Sequence, residues 1–200
     1  MESQTSNFHR NFFEWTELLE LNWEIIKNEL MHVYYNHDQL IYKSNWFLAH
    51  PHYVDSKTNK AWKTYEFVFF GIKQLGHCQN SILEPHTKIS PHKGFTKMVL
   101  RNHLALEVPS STLCKIKVEG EETSWKEGEV ITFDDSKMHE AWNLSDKPRM
   151  VLMIDVANPS MPYSSKEICN YKIENIDDPF LLSMANKSIW KKWLNQGYFD

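Results

Sequence analysis

The stretch 96-TKMVLRNHLALEV-108 decides the fold. Its residues alternate with the period of a β-strand: Val99, Arg101, His103 and Ala105 share one face, and Met98, Leu100, Leu104 and Leu106 share the other. The second face is an ordinary core face. The first sets a guanidinium beside an imidazole, and burying it calls for an anionic partner. Working outward, short β-rich runs recur: WKTYEFVFFG from residue 62, LCKIKVEG from 113, EVITF from 129 and RMVLMIDVA from 149, bounded by Gly, Pro, Asp or Ser. In the last run Met150, Leu152 and Ile154 form one face, while Arg149 shares the other with Val151 and Met153. Two readings are open for the two arginines. Each either grips a buried carboxylate ligand through its planar fork or pairs with a protein acid such as Asp134, Asp135 or Asp155.

Many short strands with charged turns predict an all-β core, a sandwich or barrel, with helices at its flanks. Before the strands, Trp15, Leu19, Trp23, Ile26 and Leu30 recur at steps of three and four and predict one amphipathic helix over about residues 11 to 31. After them, DDPFLLSMANKSIWKKWLNQG predicts a terminal helix, with Asp178 as N-cap, Pro179 in the first turn and Gly197 as the stop. Its Trp190 and Trp193 are expected to pack on the barrel. The chain reads as one domain: a helical and extended segment over 1–61, the β core over 62–158 and a helical extension over 159–200.

Composition narrows the function. The 200 residues are 42% hydrophobic and 14% aromatic, enough for a packed core, and carry a formal charge of -4 with no basic stripe for a phosphate backbone. Nucleic acid is excluded as an expected partner. Cys78, Cys114 and Cys169 are widely spaced and lack a CxxC pair, so they read as reduced thiols of a cytoplasmic protein. No signal peptide opens the chain and no run approaches the ~20 apolar residues of a membrane span, so no membrane anchor is expected.

Histidines are numerous, and most are expected to be structural. His50 and His52 share a face of AHPHY, yet no third ligand accompanies them; His9, His32, His37, His77 and His86 have no partner at ligand spacing. His92 and His139 differ. Each stands at a predicted strand edge, where jelly-roll folds present metal ligands to an open mouth. Two places after His92 comes Gly94, where a carboxylate ligand is usual in non-haem iron sites.

Four blocks, SILEPHTKISPHKG, LRNHLALEVP, WKEGEVITFDDSKMHEAWN and RMVLMIDVANP, resemble the aspartyl/asparaginyl β-hydroxylase family of iron(II)/2-oxoglutarate oxygenases. The resemblance implies a double-stranded β-helix, a cupin-like jelly roll. It implies Fe(II) on His92 and His139, 2-oxoglutarate as cosubstrate with Arg149 and Ser81 on its distal carboxylate, Arg101 and His103 near its chelating end, O2 as oxidant, and Asp135 orienting a metal-bound water. The family lacks the usual carboxylate ligand, which accounts for Gly94. Between Gly71 and Ser81 the chain is shorter than family members, which carry a longer segment, often with a Cys-Pro pair. The implied reaction is hydroxylation of an unactivated C–H bond of a small molecule or peptidyl side chain, Asp- or Asn-like at its β-carbon. Two rivals stand beside it: a halogenase with halide in the vacated position, and a non-catalytic jelly-roll sensor of metal or carboxylate.

Overall fold

In a computed structural model of the chain, residues 6–36, 46–48, 62–69, 77–177, 182 and 185–197 are described. The period-two runs become strands: β1 (Trp46–Leu48), β2 (Trp62–Phe69), β3 (His77–Leu83), β4 (Thr87–His92), β5 (Val99–Glu107), β6 (Cys114–Val118), β7 (Glu121–Thr123), β8 (Val130–Phe133), β9 (His139–Asn143) and β10 (Arg149–Ala157). They form one sheet in the order β1-β2-β3-β10-β5-β8 and another in the order β4-β9-β6-β7, with antiparallel pairing throughout. From β3 onward the chain shuttles between the sheets, and β10 returns between β3 and β5. This is the double-stranded β-helix, or jelly roll. The β6–β7 hairpin turns on Glu119 (φ 45°) and Gly120 (φ 86°), the left-handed pair that a two-residue hairpin needs.

Between the sheets, Leu83, Ala105, Ile131, Phe133 and Val151 meet Ile89, Ile116, Val118 and Ala141. β5 is buried on both faces, which explains its dense apolar run. Its outer Leu104 and Leu106 join Ile82, Val130, Met150 and Leu152 beneath Leu30, and each such side chain taken out of water contributes about 1.5–3 kcal/mol.

The covering helix is broken where the sequence predicts one continuous element. α1 (Thr16–Leu21) ends at Asn22, and α2 (Trp23–Asn36) begins anew. The cause is local: Asn22 leaves helical geometry at φ -111° and ψ 10°, and its side-chain amide donates to the Leu18 carbonyl at 2.8 Å. Leu19, Trp23, Ile26 and Leu30 keep the expected stripe on the sheet, whereas Trp15 stands at the start of α1, more than a third exposed. Polar ties fix α2. Lys27 bridges Glu107 at 2.6 Å and Glu127 at 3.1 Å, and the Tyr34 hydroxyl donates to Glu84 at 2.8 Å.

Two helices follow the barrel among the described residues. α3 (Ser165–Glu174) falls within residues 159–200, read from the sequence as a helical extension but with no separate helix placed there, and Ser164 and Glu167 form the capping box that opens it. α4 (Lys187–Asn195) starts from Asn186, whose side chain accepts from the Ile189 N–H at 3.0 Å, and Gly197 (φ 72°) follows its end. Asp178 and Pro179, expected to open that helix, lie outside the described residues. Ile168, Cys169, Ile173, Trp190 and Leu194 pack on Met98 and Val99 at the start of β5, with Trp193 partly buried beside them. None of Cys78, Cys114 and Cys169 is in a disulfide among the described residues. No helix among the described residues is long and apolar enough to cross a membrane.

Candidate active site

A single extra residue builds the metal-competent pair. β4 and β9 run in register with Ile89 opposite Ala141, which in an unbroken ladder would set Pro91 opposite His139. The register shifts before the strand ends, and His92 takes that place instead. Pro91 has no N–H to give the ladder, so a bulge is natural here. The two imidazoles lie with ring centroids 4.1 Å apart at 54°. Nδ1 of His92 is 2.8 Å from the Ser90 carbonyl, and Nδ1 of His139 is 2.9 Å from that of Lys137. A carbonyl only accepts, so the proton sits on Nδ1 and the lone pair on Nε2. Burial lowers both pKa values to about 4, with the neighbouring His139 adding to the effect on His92. Both rings are therefore neutral at pH 7, the form that binds metal. Among the described residues no group of three or more His, Cys, Asp or Glu side chains is arranged to ligate an ion.

Gly94 has a steric explanation. A Cβ at this position would lie 2.3 Å from Asp135 Oδ2 and 2.4 Å from its Cγ, while the Gly94 N–H donates to the Asp135 carbonyl at 2.7 Å. The Asp135 carboxylate stands in the volume that a side chain at 94 would need. Burial pushes the Asp135 carboxyl up, and Arg101 opposes that rise.

Arg101 takes the protein-acid option. Its Nε and Nη2 donate to the two Asp155 oxygens at 2.8 and 2.9 Å, and Nη2 also lies 2.9 Å from Asp135 Oδ2. Arg149 is different. Its side chain is 1% exposed, its guanidinium carbon lies 4.6 Å over the Trp125 ring, and Nη1 donates to the Ser81 carbonyl at 3.4 Å. Nε has no hydrogen-bond partner among the described residues. Burial lowers its pKa to about 10. Among the described residues this cation has a π face and a long carbonyl contact, surroundings that an anion would complement.

His103 lies beside it. Trp125 Nε1 donates to His103 Nδ1 at 3.3 Å, which assigns the imidazole proton to Nε2, and Nε2 has no partner among the described residues. Burial, followed by the charges of Arg101 and Arg149, holds His103 well below the usual histidine range. Ser81 Oγ accepts from Trp62 Nε1 at 2.7 Å, which leaves its own hydrogen to donate. The interior thus holds donors at Arg149, His103 and Ser81, which suits a small carboxylate. Phe133 sits between this group and the mouth, 5.1 Å from His103 and 5.8 Å from His139.

His92, His139, Asp135 and Arg101 therefore gather at the mouth, and Arg149, His103 and Ser81 lie within. Sequence reasoning missed Trp125, which joins Arg149 to His103, although Trp125 opens one of the four family-like blocks. It named Asp155 only as a possible partner for an arginine. His37, His50, His52 and residues 71–76 of the short Gly71–Ser81 segment lie outside the described residues, while residues 77–81 of that segment belong to β3.

A family model described as aspartyl/asparaginyl β-hydroxylase matches residues 73–159. The ornithine lipid ester-linked acyl 2-hydroxylase of Rhizobium tropici is 30% identical over 210 residues, spanning 90% of this chain and 70% of that protein. The human aspartyl/asparaginyl β-hydroxylase is 40% identical over 86 residues, which are 43% of this chain but only 11% of that protein. A prolyl-4-hydroxylase structure from Pseudomonas putida aligns over 73% of this chain and 88% of its own, with a TM-score of 0.47 and 10% identity. The chain belongs to the aspartyl/asparaginyl β-hydroxylase family, a family of hydroxylases.

Proposed function

We propose that the protein is an iron(II)- and 2-oxoglutarate-dependent dioxygenase that hydroxylates an unactivated C–H bond. The observation that carries this reading is the coexistence, in one barrel, of two neutral imidazoles 4.1 Å apart at the mouth and a buried guanidinium without a carboxylate partner among the described residues. His92 and His139 hold the metal through Nε2, and the backbone carbonyls at Nδ1 keep the rings oriented. Bound iron, with 2-oxoglutarate and dioxygen, supplies the oxidising power for C–H hydroxylation and yields succinate and carbon dioxide. Arg149 and Ser81 would grip the distal carboxylate of the cosubstrate, and His103, joined to Arg149 through Trp125, would offer its Nε2 hydrogen to the same cosubstrate. Phe133 and Trp125 keep water from these contacts and strengthen them by doing so. Asp135, held by Arg101, orients a water at the metal through its carboxylate.

The same carboxylate argues for hydroxylation over halogenation. A halide in the position vacated at Gly94 would meet the Asp135 oxygens, charge against like charge. The donor set around Arg149 argues against a sensor of metal alone, and oxygen-dependent succinate release separates the enzyme from a non-catalytic carboxylate sensor.

The family name points to an Asp- or Asn-like side chain as substrate. A second reading, an acyl chain, is supported by the Rhizobium tropici relative, whose name specifies acyl 2-hydroxylation and whose similarity runs through 90% of this chain. One observation favours it: Arg101, the arginine at the mouth, already spends Nε and Nη2 on Asp155 and Asp135 rather than on a substrate carboxylate.

The test is succinate release with iron(II), ascorbate and 2-oxoglutarate, together with mass spectrometry for a gain of one oxygen across amino acids, peptides and acyl lipids. One succinate per hydroxylated product is expected. His92→Ala and His139→Ala each abolish coupled turnover; retained turnover in both refutes the ligand assignment.

A further inference from the structure

Ahead of α1, residues 6–9 run across from one sheet to the other. His9 bridges Thr132 of β8, the edge strand of the larger sheet: the His9 N–H donates to the Thr132 carbonyl at 2.9 Å, and the Thr132 N–H donates to the His9 carbonyl at 2.8 Å. Edge groups that would otherwise face water are paired. The residues just before are fixed to the smaller sheet. The Asn7 N–H donates to Glu121 Oε2 and the Ser6 hydroxyl to Glu121 Oε1, both at 2.6 Å, and Asn7 Nδ2 donates to the Val118 carbonyl at 3.2 Å. This segment lies outside the family-matched residues 73–159.

Three of its contacts end one step from His139. Val118 is the residue opposite His139 in the β6–β9 ladder. Asn7 Oδ1 accepts from Lys137 Nζ at 2.8 Å, and the Lys137 carbonyl is the acceptor 2.9 Å from His139 Nδ1. Phe8, between the two anchors, sets its ring 6.1 Å from that of Phe133 at 60°. Phe133 is 1% exposed and lies 5.8 Å from His139 and 5.1 Å from His103. The routes differ in strength. A hydrogen bond made by an exposed lysine contributes little, because its chain is flexible and water competes. Phe8 is the stronger link: a close-packed interior passes on displacements, and shortening Phe8 would leave a void into which the Phe133 ring could shift.

We propose that Phe8, assisted by Asn7, is a positioning residue of the metal site: residues 6–9 strap the two sheets together, and the Phe8 ring keeps Phe133 against His139, so that the imidazole is held in the orientation that binds metal. The assignment rests on reading His92 and His139 as the metal-binding pair. The effect passes through Phe133 and Lys137.

The experiment is titration of the purified full chain with Mn2+ under calorimetry, well below the unfolding transition, alongside thermal unfolding, for the parent, Phe8→Ala, Asn7→Ala and Leu30→Ala. Leu30, 3% exposed, packs α2 on the outer face of the larger sheet and serves as the control. Phe8→Ala should bind Mn2+ about tenfold more weakly, the lower end of the range seen when a group supporting a metal ligand is removed, and Asn7→Ala should lose affinity by a smaller factor. Leu30→Ala should lower the melting temperature at least as far as Phe8→Ala and bind Mn2+ as the parent does. A residue that only stabilises the fold behaves like Leu30, so parent-like affinity in folded Phe8→Ala overturns the proposal, and so does an equal loss in Leu30→Ala. If Phe8→Ala does not fold, the milder Phe8→Leu takes its place, and parent-like affinity in both Phe8→Leu and Asn7→Ala overturns it. A parent chain that binds no Mn2+, with or without 2-oxoglutarate, overturns the reading of the histidine pair on which the proposal stands.

Discussion

Two arginines on neighbouring strands of one barrel are buried by opposite means. At the mouth, Arg101 is enclosed by Asp155 and Asp135, all three charges matched by protein groups at 2.8–2.9 Å. Inside, Arg149 lies over the face of Trp125 with Nε unpartnered among the described residues. A buried charge that the protein itself neutralises is part of the frame. One that the protein desolvates without neutralising leaves a cost in the folded state that an anion bound there would offset.

Substitution separates the two. Arg101→Met leaves two buried carboxylates with too little counter-charge and should destabilise the fold by about 3–5 kcal/mol, read from urea midpoints. A midpoint equal to the parent's would show that the arginine is dispensable to the frame.

Acidification probes the mouth next. His92 and His139 titrate near 4 in the folded state because burial disfavours their charge, whereas unfolded histidines titrate near 6.5. As pH falls from 6.5 toward 4 the unfolded chain takes up protons that the folded chain refuses. Stability is thus fully present above 6.5 and declines through that window, by on the order of 3 kcal/mol for the well-buried His139. Melting temperatures at pH 7.5 and 5 measure the loss, and identical values would mean that the rings are not held neutral.

The smallest change in stability should come from Arg149→Met. Removing an uncompensated charge in favour of an apolar chain is neutral or mildly stabilising, yet the half-saturating 2-oxoglutarate concentration should rise roughly 10- to 100-fold, the worth of a charged hydrogen bond. A variant that unfolds as readily as Arg101→Met, with unchanged 2-oxoglutarate dependence, would erase the distinction between frame and receptor.

How much of this was legible beforehand depended on how local each signal is. Alternation along Val99–Glu107 reveals a strand, its two faces and its two polar members without any knowledge of neighbours. Burial of Arg101 and Arg149 follows from the same alternation, but which acids or rings meet them depends on β10, the β8–β9 turn and Trp125, remote in sequence. Of the two options left open, Arg101 takes the protein acids, whereas Arg149 lies over Trp125 with Nε unpartnered among the described residues. The break at Asn22 was hidden because a stripe at helical spacing continues across it. α3 lies inside the stretch read as a helical extension, yet its polar composition gives no stripe to place it, and the Ser164–Glu167 box is the readable sign of its start. Lys172 of α3 is only 4% exposed, and nothing in the sequence around it distinguishes it from a solvated lysine on a helix, since its burial is decided by where α3 docks.

Gly94 and Asp135 compete for one small volume. Any path of substitution toward a carboxylate at 94 has to pass either through a step in which both side chains claim the space or through one in which neither fills it and Arg101 keeps Asp155 alone. A side chain at 94 and the carboxylate at 135 are therefore coupled, and neither position can change in that direction without the other.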